Sequence, residues 1–210
     1  MPEKGELAYE IGYSENLREL QSVGAFLPHT AIGIYDAGNI KISTSAPLSF
    51  AKVTMVNGGG GLFMTLDIND MRLLTDLSPW LLNADSLRKN ARISLADGVV
   101  EICGLPSVQT TVKYRDVNGV EFKLDVFTAV DSPIAKDLPH LPSFNTEFDG
   151  GQDVRFGLVT ALSLRFADSN IIFLLRNVRP IDFINPGEFL RPQGYIETDA
   201  MDLLALCGLM

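Results

Sequence analysis

The sequence predicts a mainly β fold with minor α, an antiparallel, hairpin-rich barrel or sandwich of about ten strands with two or three short helices. Turn signals punctuate the chain at Asp36-Ala37-Gly38, Asp97-Gly98, Asn118-Gly119 and Asp168-Ser169. Each sits between runs rich in β-branched and aromatic residues, which is the local signature of a hairpin. Stretches with helical spacing of apolar residues are short and few. The expected organisation is a single β-rich domain over 1–197, with a helical insertion around 69–90 and a long loop at 131–153, followed by a helical tail over 198–210.

Taken in order, Ser14 is an acceptable cap for a short helix through Leu17, Leu20 and Val23, stopped by Gly24 and Pro28. The first hairpin, Thr30 to Thr44, is expected to turn on the three residues Asp36 to Gly38. That register sets Ile34 against Ile40 and Ile32 against Ile42. Strands follow at Phe50 to Val56 and Leu62 to Ile68, joined by Asn57 and the four glycines Gly58 to Gly61. Asn69 is placed to cap a helix over Asp70 to Leu77, and Ser78-Pro79 to open a second one carrying Trp80, Ala84 and Leu87.

The second hairpin, Ala91 to Cys103, is expected to turn on Asp97-Gly98, pairing Leu95 with Val100 and Ile93 with Ile102. For the third, Thr110 to Val126, a two-residue Asn118-Gly119 loop would set Arg115 against Phe122 and mix the faces. A three-residue loop, Val117 to Gly119, instead pairs Tyr114 with Phe122, Val112 with Leu124 and Arg115 with Glu121. The segment from Asp131 to Asp153 holds Pro133, Pro139, Pro142 and Gly150-Gly151, and reads as a long loop. The fourth hairpin, about Asp168-Ser169, would match Phe166 to Ile171, Leu164 to Phe173 and Leu162 to Leu175. Its return strand, Ile171 to Leu175, is apolar on both faces, as in a doubly covered central strand or a subunit contact. From Val178 to Gln193, Phe183, Ile184, Phe189 and Leu190 are expected to anchor a crossing over the outside of the sheet. Thr198 to Met210 reads as a capped amphipathic helix.

A formal net charge of −9 and a pI near 4.7, with Lys and Arg scattered singly, argue against tight nucleic-acid binding. No run approaches the roughly 18 apolar residues of a membrane span, and Met1 to Glu6 has no apolar stretch of signal-peptide length. A cytoplasmic location, or a particle assembled in the cytoplasm, is the resulting expectation. Cys103, placed in a strand, and Cys207 form no metal-ligand spacing and read as small buried hydrophobes.

Chemistry is sparse. His29 and His140 sit in Leu-Pro-His triplets and would bind a metal only if they met with a carboxylate. Asp36-Ala37-Gly38 resembles in outline the Asp-Thr/Ser-Gly motif of retroviral-type aspartic proteases, but Ala37 replaces the bracing hydroxyl and a hairpin turn explains the same residues. Gly58 to Gly61 lacks the Lys and the helix of a phosphate loop. Asp67, Asp70 and Asp76 cluster in sequence without forming a recognisable acid–base pair. No catalytic residue, cofactor or metal is therefore assigned.

The functional reading that follows is a structural or assembly subunit of a larger particle, a homo-oligomer or a neighbour of other particle subunits, such as a phage-like tail tube, terminator or connector. The alternative is a β-barrel that binds a small molecule, with Trp80, Phe63, Phe122 and Phe173 as candidate pocket residues, or a metal-independent enzyme such as an isomerase, cyclase or hydrolase.

Overall fold

The computed structural model describes residues 2–18, 27–36, 38–45, 51–68, 70–78, 91–115, 121–130, 158–166, 168–199 and 202. Its strands are β1 (Lys4–Tyr13), β2 (Thr30–Asp36), β3 (Asn39–Ser45), β4 (Ala51–Gly58), β5 (Gly61–Ile68), β6 (Met71–Asp76), β7 (Ala91–Leu95), β8 (Val100–Ile102), β9 (Leu105–Arg115), β10 (Glu121–Ala129), β11 (Val159–Phe166), β12 (Ser169–Pro180) and β13 (Ile196–Glu197). They form one sheet in the order β13-β6-β5-β4-β3-β2-β1-β12-β11-β10-β9-β7, with β8 also on β9. The mainly β, antiparallel expectation holds. About ten strands become thirteen, and the end strands β13 and β7 do not pair, so the described residues form one open sheet rather than a closed barrel.

The sheet is two meanders joined through their first and last long strands. β1 to β6 run outward one after another, and β9 to β12 return inward until β12 pairs with β1. The sequence reading missed β1. Its alternation is nonetheless clear, with Leu7, Tyr9 and Ile11 buried while Glu6 and Glu10 face the other side. On that buried face Leu7, Tyr9, Ile11, Ala31, Tyr35 and Leu175 form the main core cluster, with Ile40, Ile42, Ile171 and Phe173 packed against it. Leu66 and Leu73, with Val53, Met64 and Ile68, make a second cluster. The opposite face carries ion pairs, Glu10 with Arg176 and Glu6 with Arg179.

Three registers differ from expectation. In the β2–β3 hairpin Tyr35 pairs with Ile40, Gly33 with Ile42 and Ile34 with Lys41, because Asp36 pairs with Asn39 across a two-residue turn. Asn39 Nδ2 donates to the Asp36 carbonyl at 3.1 Å and closes it. This one-residue slip buries Tyr35 completely and leaves Ile32 52 % exposed, because a large aromatic competes for the covered face more strongly than an isoleucine.

Asp97-Gly98 does not close a hairpin. β7 and β8 lie in tandem along the same edge of the long β9, Leu95 opposite Thr110 and Val100 opposite Ser107. The tight turn is Cys103-Gly104, where φ is 53° and 72° as a two-residue turn between twisted strands requires. Cys103 is thus exposed in a turn, correcting its reading as a buried strand residue.

In β11–β12, Phe166 pairs with Ser169, Leu164 with Ile171 and Leu162 with Phe173, a slip of two that preserves the faces. The β9–β10 register matches expectation, with Tyr114 opposite Phe122, Val112 opposite Leu124 and Arg115 opposite Glu121. The loop carrying Gly119 is outside the described residues.

The helix expected over Asp70 to Leu77 is instead the strand β6, paired with β5 through Leu66–Leu73 and Asp67–Arg72. A short apolar run does not distinguish helix from strand by period alone, and here the adjacent β5 supplies a partner for its backbone. α1 (Glu15–Arg18) begins where Ser14 was expected to cap. The helix from Ser78, the loop 131–153 and the tail after Thr198 fall almost wholly outside the described residues.

Candidate functional site

After β12 the chain folds back over the face of β3 to β6 that carries Lys41, Thr54, Thr65 and Asp67 beside the buried Val56 and Phe63. Asn185 caps a single 3₁₀ turn, Pro186–Phe189, its side chain accepting from Gly187 N at 3.0 Å. Of the four expected anchors, Ile184 and Phe189 are buried, whereas Phe183 and Leu190 are 74 % and 61 % exposed. Phe189 sits so close to β4 that a Cβ on Gly58 would lie 2.3 Å from the Phe189 carbonyl oxygen, so only glycine permits this approach. Lys41 of β3 ties the turn down through Glu188 at 2.6 Å. Farther along, Tyr195 OH donates to Asp67 Oδ2 at 3.0 Å, and the Arg72 guanidinium lies 4.2 Å from the Tyr195 ring centroid.

Between this segment and the strands is a cleft of about 350 Å³. Its floor is set by register. Ser43, Thr54 and Thr65 stand side by side across β3, β4 and β5 on one face. Ser43 and Thr54 bond each other at 2.9 Å through their hydroxyls. Thr65 is 1 % exposed and its Oγ1 has no hydrogen-bond partner, although buried hydroxyls are ordinarily satisfied. Asn57 Oδ1 is also buried and unpartnered, but register places it on the opposite face beside Ile40 and Leu62, away from the cleft.

The charges around the floor are unequal in their engagement. Among the described lining residues, Lys41, Lys52 and Arg191 face two carboxylates, Asp67 and Glu188. Both oxygens of Asp67 are taken, one by Arg72 Nε at 3.1 Å and the other by Tyr195. Glu188 is held by Lys41, and Arg191 bonds Glu197. Lys52, directly across from Asp67 on β4, is exposed and makes no ion pair among the described residues.

The residues singled out from sequence do not converge. His29 is exposed, its ring 6.3 Å from that of Tyr13, and His140 is outside the described residues. Among the described residues no group of three His, Cys, Asp or Glu side chains is arranged to hold a metal. Of the three aspartates, Asp67 lies at the cleft, Asp76 Oδ1 accepts from Ser78 N, and Asp70 is exposed in the β5–β6 turn. Phe63 and Phe173 point to opposite faces of the sheet, and Trp80 is outside the described residues.

A separate polar cluster surrounds Asp125. Burial would raise its pKa, but bonds from Lys123, Thr111 and Gln109 outweigh that and hold it below the ordinary carboxylate value. Its donors satisfy it, and it offers no open site. Tyr9, whose pKa burial raises, likewise donates to the Val159 carbonyl at 2.9 Å.

No family model matches the chain, and no curated protein matches it. Among solved structures it superposes on PNGF-II in two crystal forms, with TM-scores of 0.52 and 0.53 at 12 % and 13 % identity. These matches cover 97 % of this chain but only 32 % and 33 % of PNGF-II, so the chain spans about a third of that protein's length. At this identity the likeness is one of fold alone. The Mycobacterium tuberculosis lipoprotein LppX matches at TM-score 0.37 and 11 % identity, over 88 % of this chain and 89 % of that one. MucB, from its complex with MucA(peri), matches at 0.35 and 10 %, over 90 % and 55 %.

None of these is a tail tube, terminator or connector, and the reading as a structural, assembly or virion component is corrected accordingly. The feature that suggested an intersubunit contact, a strand apolar on both faces, is β12, which lies at the centre of the sheet between β1 and β11.

Proposed function

We propose that this chain is a binding protein that holds a small molecule in the cleft between β3–β6 and the 184–195 segment. One observation carries the reading: Thr65 lines the cleft and its hydroxyl is buried without a partner, which a group bound there would supply. The volume, about 350 Å³, falls at the lower end of small-molecule sites. Binding is favoured over acid–base catalysis because Asp67 and Glu188 are both engaged by cations and no His or Cys lines the described cleft. The test is a fragment screen on the full chain with NMR detection at the threonine methyl groups. Fragments that shift Thr65 and Thr54 while leaving Thr110 and Thr160 unmoved are expected. A library that moves none of the cleft threonines refutes the reading.

A further inference from the structure

Resting on the reading of this cleft as a binding site, we propose that its ligand carries an oxyanion, a carboxylate or phosphate group, held between the Thr65 hydroxyl and the Lys52 ammonium. The protein as a whole is strongly acidic, at −9, yet the described lining of the cleft has three cations against two carboxylates. That local reversal matters because the carboxylates are already engaged. Asp67 accepts from Arg72 and Tyr195, and Glu188 from Lys41. Arg191 is likewise committed to Glu197. Among the described lining residues two side-chain donors have no protein partner: the ammonium of the exposed Lys52 and the buried O–H of Thr65.

Register brings these two donors to one place. Lys52 pairs with Asp67 and Thr54 with Thr65, so Lys52 and Thr65 are diagonal neighbours on the same face of β4 and β5. Such neighbours lie roughly 7–8 Å apart at the backbone, a gap that a lysine side chain spans with room for one oxygen-bearing group before the hydroxyl. A site with spare donors and committed acceptors selects a ligand rich in acceptors, and a charged acceptor makes the stronger bond with an ammonium. A neutral polyol would meet donors on one side and no free carboxylate on the other.

The experiment titrates the full chain with inorganic phosphate, citrate and sorbitol. Calorimetry gives affinity and the Thr65 methyl resonance gives location. Phosphate or citrate is expected to bind and to shift Thr65, whichever is tighter naming the oxyanion, with affinity falling as salt is raised. Lys52→Met should weaken binding about tenfold or more, Lys52→Arg should stay within a few-fold of the parent, and Thr65→Val should also weaken it. If sorbitol alone shifts Thr65, the cleft binds small molecules but the oxyanion inference is overturned. If phosphate or citrate binds without moving Thr65, or with an affinity indifferent to Lys52→Met, the anion sits elsewhere and the inference is equally overturned. If no probe moves Thr65, the inference is overturned for these oxyanions, and the fragment screen alone decides the cleft.

Discussion

Replacing Thr65 with valine should make the unliganded protein more stable while weakening binding in the cleft. Thr65 is 1 % exposed and its hydroxyl is unpartnered, so the folded chain bears the cost of taking that O–H out of water with nothing in return. Measured costs for such a group are about 1–3 kcal/mol. Valine keeps the β-branched shape suited to the centre of a strand and restores apolar contact where the hydroxyl stood. For a chain of this length each kcal/mol moves the melting temperature by about 2–4 °C, so a rise of roughly 2–12 °C is expected. Thr54→Val is the internal control one strand away. Its hydroxyl bonds Ser43 at 2.9 Å, and losing that bond should cost about 1 kcal/mol. Both variants are compared with the parent by urea titration and calorimetry without ligand. Opposite signs are the signature. If Thr65→Val loses as much stability as Thr54→Val, the Thr65 hydroxyl is already satisfied, and the argument that a ligand completes it collapses.

Gly58→Ala should cost about 1–3 kcal/mol and lower affinity at the cleft, since its methyl would lie 2.3 Å from the Phe189 carbonyl oxygen and push the 3₁₀ turn off β4. Gly59→Ala, whose methyl meets nothing within 4 Å, should be near neutral; equal urea midpoints for the two variants would remove the steric argument. Cys103→Asn should leave the fold intact and raise stability by a few tenths of a kcal/mol, because asparagine adopts the 53° φ of this turn more readily; a measurable loss in thermal denaturation would contradict the turn assignment. Tyr13 OH donates to the Pro28 carbonyl at 2.8 Å, and burial pushes its pKa up from 10.0 to about 12. Between pH 10 and 12 the unfolded chain releases this proton while the folded chain keeps it, so stability falls as pH rises through that window. Urea midpoints for Tyr13→Phe should decline less steeply there than those of the parent, and parallel curves would refute the assignment.

How much of this was legible in the sequence depends on what competes at each position. The β9–β10 register could be read because only one pairing keeps Tyr114, Val112, Phe122 and Leu124 on a common face against Lys113 and Lys123. The β2–β3 register could not, because Ile32 and Ile34 compete with Ala31 and Tyr35 for the covered side and sequence alternation does not rank them. β6 was hidden by a plausible cap at Asn69, and β1 by a Gly- and Glu-rich composition that masks its alternation. The size of a register error also matters less than its parity. The two-residue slip in β11–β12 left Leu162 and Leu164 facing the same side as before, whereas the one-residue slip in β2–β3 exchanged the faces of β2 against β3, leaving Ile40 and Ile42 packed against the core beside Tyr35 instead of Ile34.

The cleft was illegible for a different reason. Each of its residues, taken alone, has an ordinary explanation: Lys52, Thr54 and Thr65 fall on the polar phase of alternating strands and read as the solvent side of a half-buried sheet. What converts that surface into a site is the 184–195 segment, more than a hundred residues later in the chain, whose approach depends on Gly58 having no side chain. Burial then changes the meaning of the hydroxyl row. On an open strand Thr65 would bond water, but beneath this segment it is buried at the cleft, and the Ser43–Thr54 bond leaves it the odd member of three. The same folding back engages Glu188 with Lys41 and Asp67 with Tyr195, which removes the acceptors and leaves Lys52 as the cleft cation without an ion pair among the described residues. Donor excess in the cleft is therefore a product of long-range packing, and it arises in a chain whose overall acidity points the opposite way.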